Sequence, residues 1–248
     1  MSVRNQVEAQ FENILGGMKT REGKIEFLKK AIKASVSKAR PVLLSLYEES
    51  GAYEEAGKLA SQMNDPERSL RLYRLYYEEL VRGGRSEEAG RIALYLGMTE
   101  EAIRHFEEGG KYQRAAEIAE GARQAERAIL LYEKAGWYEE AGRIAENANM
   151  KEKAAELFRR QIDELEKEGL IEEACKMAER LGMIHRSIEI YTGGGQFGQA
   201  GRLYEMIEKF EEAMEHYEKG GLFEEARRLA DQLNILPQKD LYELITQL

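Results

Sequence analysis

An alanine returns along this chain at Ala56, Ala89, Ala115, Ala141, Ala174, Ala200 and Ala226, and five residues before each stands a glycine: Gly51, Gly84, Gly110, Gly136, Gly169, Gly195 and Gly221. The intervals between the alanines are 33, 26, 26, 33, 26 and 26 residues, so the spacing itself repeats every 85 residues. A period of this length makes each unit one supersecondary element, too small to bury its own apolar face, that gains stability by stacking on its neighbours. Laid over residues 132–216, residues 47–131 match at 30 of 85 positions without a gap, which points to duplication of a three-unit block.

Within a unit the pattern reads as a helical hairpin. An aromatic lies four residues before the glycine in the short units (Tyr47, Phe106, Tyr132, Tyr191, Tyr217), so a helix ends there and the glycine takes the left-handed position beyond its C-terminus. After the turn, aliphatics three residues past the anchor (Leu59, Ile92, Ile118, Ile144, Met177, Leu203, Leu229) and alanines four past it in six units give the second helix one buried face. A further glycine follows the anchor at Gly57, Gly90, Gly142 and Gly201, inside that second helix, where it costs about 1 kcal/mol relative to alanine. Close approach of a neighbouring helix at a small-residue seam is the expected compensation. Ala116 and Cys175 fill the same position in two other units, and Arg227 breaks the series in the last.

The order aromatic, glycine, aromatic, alanine, as in Tyr132, Gly136, Tyr138 and Ala141, resembles the tetratricopeptide type of α-solenoid over residues 39–234. The unit length and the lack of an inter-unit proline depart from that family. The short units are similar to the helical-repeat regions of vesicle-coat and intraflagellar-transport subunits. The resemblance implies an all-α, right-handed superhelix of seven antiparallel helix pairs that works as a scaffold binding proteins. Residues 1–38 are expected to form an N-terminal capping hairpin that turns at Gly16-Gly17. A C-terminal capping helix is expected within 235–248, with Leu241, Leu244, Ile245 and Leu248 on one face.

Charge limits the partners. The net charge is −9, but residues 1–41 carry nine Lys/Arg against four Asp/Glu, while the rest carries 28 against 42. An acidic body argues against DNA binding, which needs a basic surface to neutralise phosphates. With 33% charged residues and no long apolar run, no membrane span or signal peptide is expected. A single cysteine agrees with a reducing, cytoplasmic setting.

Motifs that elsewhere carry chemistry dissolve into the repeat. Gly193, Gly195 and Gly198 spell G-x-G-x-x-G, but the segment before them fills a first-helix slot rather than a strand. His105 and His216 take equivalent positions where other units place aliphatics, so they read as core substitutions rather than metal ligands. The Glu-Glu pairs recur in five units at the start of the second helix, where they complement the helix dipole. No enzyme activity, metal or cofactor is expected.

The candidate interaction surface comes from the two long units. Their seven extra residues lengthen the first helix by about 10 Å and turn its face by only about 20°. They continue an apolar stripe through Tyr73, Tyr77 and Leu80 in one unit and Phe158, Ile162 and Leu165 in the other. Either the second helix of the same hairpin shields this stripe, or it forms a partner or self-association patch; Arg71, Arg74, Arg159 and Arg160 beside it favour an acidic protein partner or a second copy of the chain. The alternative is a solenoid that binds RNA or a small anion through Arg68, Arg71 and Arg74. Lys24, Lys29, Lys30, Lys33, Lys38 and Arg40 give residues 20–40 a basic face, solvated or turned to an acidic partner, a membrane surface or the acidic body of another copy.

Overall fold

The computed structural model describes residues 3–233, and all regular structure among them is helical. The expected helix within 235–248 lies outside the described residues. Two helices open the chain, α1 (Val3–Gly17) and α2 (Arg21–Lys33). Seven pairs follow: α3 (Ala39–Glu49) with α4 (Tyr53–Gln62), α5 (Pro66–Arg82) with α6 (Ser86–Tyr95), α7 (Thr99–Glu108) with α8 (Tyr112–Gly121), and α9 (Ala125–Ala135) with α10 (Tyr138–Asn147). The remaining pairs are α11 (Lys151–Lys167) with α12 (Ile171–Arg180), α13 (Ile184–Gly193) with α14 (Phe197–Met206), and α15 (Phe210–Lys219) with α16 (Phe223–Leu233). Within each of two compact units, Met1–Gln124 and Ala125–Leu248, successive helices pack on one another as an α-solenoid. The insertion in the long units is helical as expected: α5 and α11 run 17 residues, against 10 for α7.

The turn inside each hairpin follows from its glycine. The Gly51 N–H donates to the Glu48 carbonyl at 3.1 Å and the Ala52 N–H to the Tyr47 carbonyl at 2.9 Å, a Schellman closure that needs φ of +73° at Gly51. All seven hairpin glycines share positive φ. The turn between units, which the repeat pattern did not mark, uses the same closure with other residues. Asn64, Arg123, Asn149 and Glu208 hold φ near +60° there, and Gly97 and Gly182 take the same place in the long units. A non-glycine residue with a long side chain gives up about 1 kcal/mol in that conformation. Glu208→Gly is therefore expected to raise stability by about 0.5 kcal/mol, after the added freedom of the unfolded chain is subtracted. A denaturation midpoint at or below that of the parent would show that the Glu208 turn carries no strain.

Few helices are capped by side chains. Thr20 accepts from the Gly23 N–H at 3.2 Å to start α2, and Asp65 accepts from the Arg68 N–H at 3.1 Å to start α5, with Pro66 at its first position. Most others begin directly out of a Schellman turn, with acidic residues in the first turn of α4, α6, α10, α12 and α16.

The core is the repeat in three dimensions. All seven anchor alanines are buried, as are the alanines four residues on: Ala60, Ala93, Ala119, Ala145, Ala178 and Ala230. The second glycine has the role expected of it. A Cβ at Gly57 would come within 3.0 Å of the Tyr73 ring, at Gly90 within 3.0 Å of Phe106, at Gly142 within 2.7 Å of Phe158 and at Gly201 within 2.8 Å of Tyr217. Each second helix thus has a hollow that the aromatic of the next first helix fills. At the N-terminal end, Phe11 and Leu28 are fully buried, and the Phe11 ring stacks on Phe27 at 5.7 Å.

Candidate interaction surfaces

The stripe on the long helices is mostly core. Leu80 has 0% exposure and Ile162 has 1%, so neither offers surface to a partner, and this corrects their reading as contact residues. The second helix of the same hairpin and its neighbours cover them: Leu80 sits in a cluster with Tyr73, Tyr76 and Ala89. Tyr77 and Leu165 are half-buried. Tyr77 also has a specific partner, because its hydroxyl lies 2.9 Å from His105 Nε2 while His105 Nδ1 lies 3.1 Å from Glu108. A carboxylate only accepts, so Nδ1 donates to it, and in the neutral tautomer Nε2 accepts from the phenol. His105 is thus buried as expected, but as a polar link between α5 and α7. His216 is buried as well, with Nδ1 donating to the Glu212 carbonyl at 2.8 Å and its ring against Tyr204.

The arginines divide. Arg68 donates through Nε and Nη2 to both carboxylate oxygens of Glu48 at 2.8 and 3.0 Å, a fork that joins α5 to α3 and lowers the Glu48 pKa. Its hydrogen-bonding capacity is largely used inside the chain, which weakens the alternative of an anion site there. Arg71 reaches the same carboxylate at only 3.9 Å and is exposed. Arg74 and Arg159 are exposed too. Arg160 bridges Glu133 and Glu156. The candidates Arg68 to Leu80 belong to the first unit and Arg159 to Leu165 to the second.

Reactive groups are held quiet. Burial pushes the Cys175 thiol up, and its Sγ donates to the Ser187 carbonyl at 3.5 Å. Burial also pushes the phenols of Tyr191 and Tyr217 up to about 12. The G-x-G-x-x-G segment follows helix α13: Gly195 makes the hairpin turn, and Gly198 lies in α14 under the Leu222 side chain. Among the described residues, no group of three or more His, Cys, Asp or Glu is placed to hold a metal ion, and no helix is long and apolar enough to cross a membrane.

Exposed apolar side chains lie on α5 at Leu70 and Val81 and also at the hairpin turns. Trp137 and Leu170 occupy the same step of successive hairpins, the residue just after the turn glycine, and are 40% and 41% exposed. Trp137 is the chain's single tryptophan, and its ring stacks on Tyr132 at 6.4 Å. Phe223, one residue past that step in the last hairpin, is 46% exposed. The first unit has Ala52, Arg85 and Lys111 at the corresponding positions. This apolar turn edge was readable in the repeat alignment, but a position that varies in type from unit to unit gives no periodic signal.

No family model and no curated protein matches the chain. Solved structures similar to it include the crystal structure of BtubC (BKLC) from P. vanneervenii, at 16% identity and TM-score 0.19, over 94% of this chain and 90% of that one. They also include the de novo designed helical repeat protein DHR64, at 22% identity and TM-score 0.12 over 93% and 97% of the two chains. A third is the DHF119 filament, at 23% identity and TM-score 0.12 over 86% and 96%.

Proposed function

We propose that this chain is a non-enzymatic protein-interaction or assembly scaffold of the tetratricopeptide-like kind, working in the cytoplasm. The observation that carries the reading is the exposed pair Trp137 and Leu170 on consecutive hairpin turns of the second unit. The Trp137 ring packs one face on Tyr132, as a residue after a Schellman turn commonly does, yet two-fifths of Trp137 and of Leu170 stays in solvent and is open to contacts outside the chain. A tryptophan beside a leucine is also the composition of an interface anchor. Covering the exposed two-fifths of each residue would contribute roughly 1 kcal/mol.

The test is Trp137→Ser with Leu170→Ser. Both residues are N-caps, of α10 and α12, without a capping side chain, so serine supplies a cap as it removes the anchor. We expect unchanged helical content and a melting midpoint no lower than the parent's. Proteins captured from native lysate and identified by mass spectrometry should fall about tenfold or more. Equal capture by parent and variant would exclude this edge, and no specific capture by either would remove the scaffold reading.

A further inference from the structure

Helices α2, α3 and α4 enclose a groove of about 380 Å³, floored by Ile32, Leu43, Tyr47 and Leu59 and rimmed by Lys29, Lys33 and Lys58, with Glu55 the one acid on its edge. Its origin lies in the repeat. One step along the first unit, α4, α5 and α6 stand as α2, α3 and α4 do, and Tyr73 takes the place of Tyr47. There the Tyr95 ring lies 4.5 Å from the Tyr73 ring and covers part of the space. The residue equivalent to Tyr95, six past the anchor alanine, is Gln62 in α4, and Gln62 lines the groove instead of closing it. Gly121, Asn147, Arg180 and Met206 stand at that step in later hairpins, so the ring of Tyr95 is the exception.

We propose that this groove is the docking site for an acidic amphipathic helix of a partner protein. The proposal rests on the scaffold reading and names a second contact surface for it. The α4 wall runs from Glu55 to Gln62, about 10 Å of helix, which matches two turns of a partner laid alongside it. Two turns present apolar side chains at i, i+3 or i+4, and i+7, suited to an apolar floor of this size. The charge on the rim selects the partner's other face. Lys58 is engaged by Glu54, whereas Lys29 and Lys33 are exposed on the last turns of α2, one turn apart on the same side of the groove. Acidic side chains flanking the apolar ridge would meet them at the rim, where complementary charge governs specificity and encounter rate. Residues 10–41, with eight Lys/Arg against three Asp/Glu, carry the same sign of charge.

The test is a selection from a displayed random peptide library of about fourteen residues against the full chain. Recovered peptides are then measured by fluorescence anisotropy on the parent, on Gln62→Tyr, which sets a ring over the groove as Tyr95 does over Tyr73, and on Lys29→Glu with Lys33→Glu. The expected result is a set of acidic peptides with apolar residues at helical spacing. Their affinity should fall at least tenfold on each variant, while circular dichroism and melting of the variants match the parent. The lysine variant changes only exposed side chains, so the test stands even if the tyrosine disturbs packing. Recovery of no binders, of binders without acidic bias, or of binders indifferent to both variants would overturn the proposal. So would displacement of the peptides by vesicles of anionic phospholipid, which would make the basic face a lipid contact. The Trp137 and Leu170 capture experiment reads a different surface, so failure of the groove leaves the scaffold reading standing on its own test.

Discussion

Leu80→Glu is expected to abolish cooperative folding of the first unit. Leu80 is fully buried on α5. Truncating such a side chain alone costs about 2–5 kcal/mol, and a carboxylate placed among Tyr73, Tyr76 and Ala89 adds the cost of burying a charge without a partner. Together these approach the whole stability of a typical domain, about 5–15 kcal/mol. Leu70→Glu on the same helix is the control: Leu70 is 44% exposed, and its replacement should move stability by no more than about 0.5 kcal/mol. Circular dichroism through a thermal melt distinguishes the two. A Leu80→Glu protein that melts with Leu70→Glu and the parent would mean that the stripe on α5 opens to solvent.

Gly142→Ala is the second large effect, and it sets two opposed quantities against each other. Alanine gains about 1 kcal/mol of helix propensity over glycine. Its Cβ, however, would lie 2.7 Å from Phe158 Cε1 and 2.9 Å from Cδ1, closer than such atoms approach, so the ring must shift out of a buried site. Overpacking of this kind costs about 1–3 kcal/mol, so a net loss of up to about 2 kcal/mol is expected. Gly136→Val, at a turn with φ of +77° and open space around it, should cost at least about 1–2 kcal/mol from backbone strain alone. The two differ in remedy. Phe158→Leu should relieve Gly142→Ala, with a coupling of at least about 0.5 kcal/mol in a double-mutant cycle, and should leave Gly136→Val unrelieved. Additive losses for Gly142→Ala and Phe158→Leu would show that the glycine serves something other than that ring.

The seven hairpins were legible because they depend on short-range facts: a glycine with positive φ in every one, an aromatic four residues before it in the five short units, and alanines spaced four apart in six. The role of Gly57, Gly90, Gly142 and Gly201 was legible too, since a glycine inside a helix needs a compensating close approach. The positive φ of Arg123 and Glu208 was hidden, because neither residue type announces a left-handed turn. The interaction stripe was misjudged at Leu80 and Ile162. Periodicity shows that a face is apolar but not what covers it, and at Leu80 the cover is the second helix of the same hairpin, through Ala89 and Ile92. Trp137 and Leu170 were missed for a different reason. Their step of the repeat changes in type from unit to unit, and an alignment of repeats draws attention to what the siblings share.

The fit of aromatic into glycine hollow gives the array a direction. Gly57 receives Tyr73, Gly90 receives Phe106, Gly142 receives Phe158 and Gly201 receives Tyr217, so at each of these four junctions the socket lies on the earlier hairpin and the plug on the later one. Duplicating or deleting one whole period at such a junction keeps a plug facing a socket, whereas an insertion of any other length sets mismatched ends in contact.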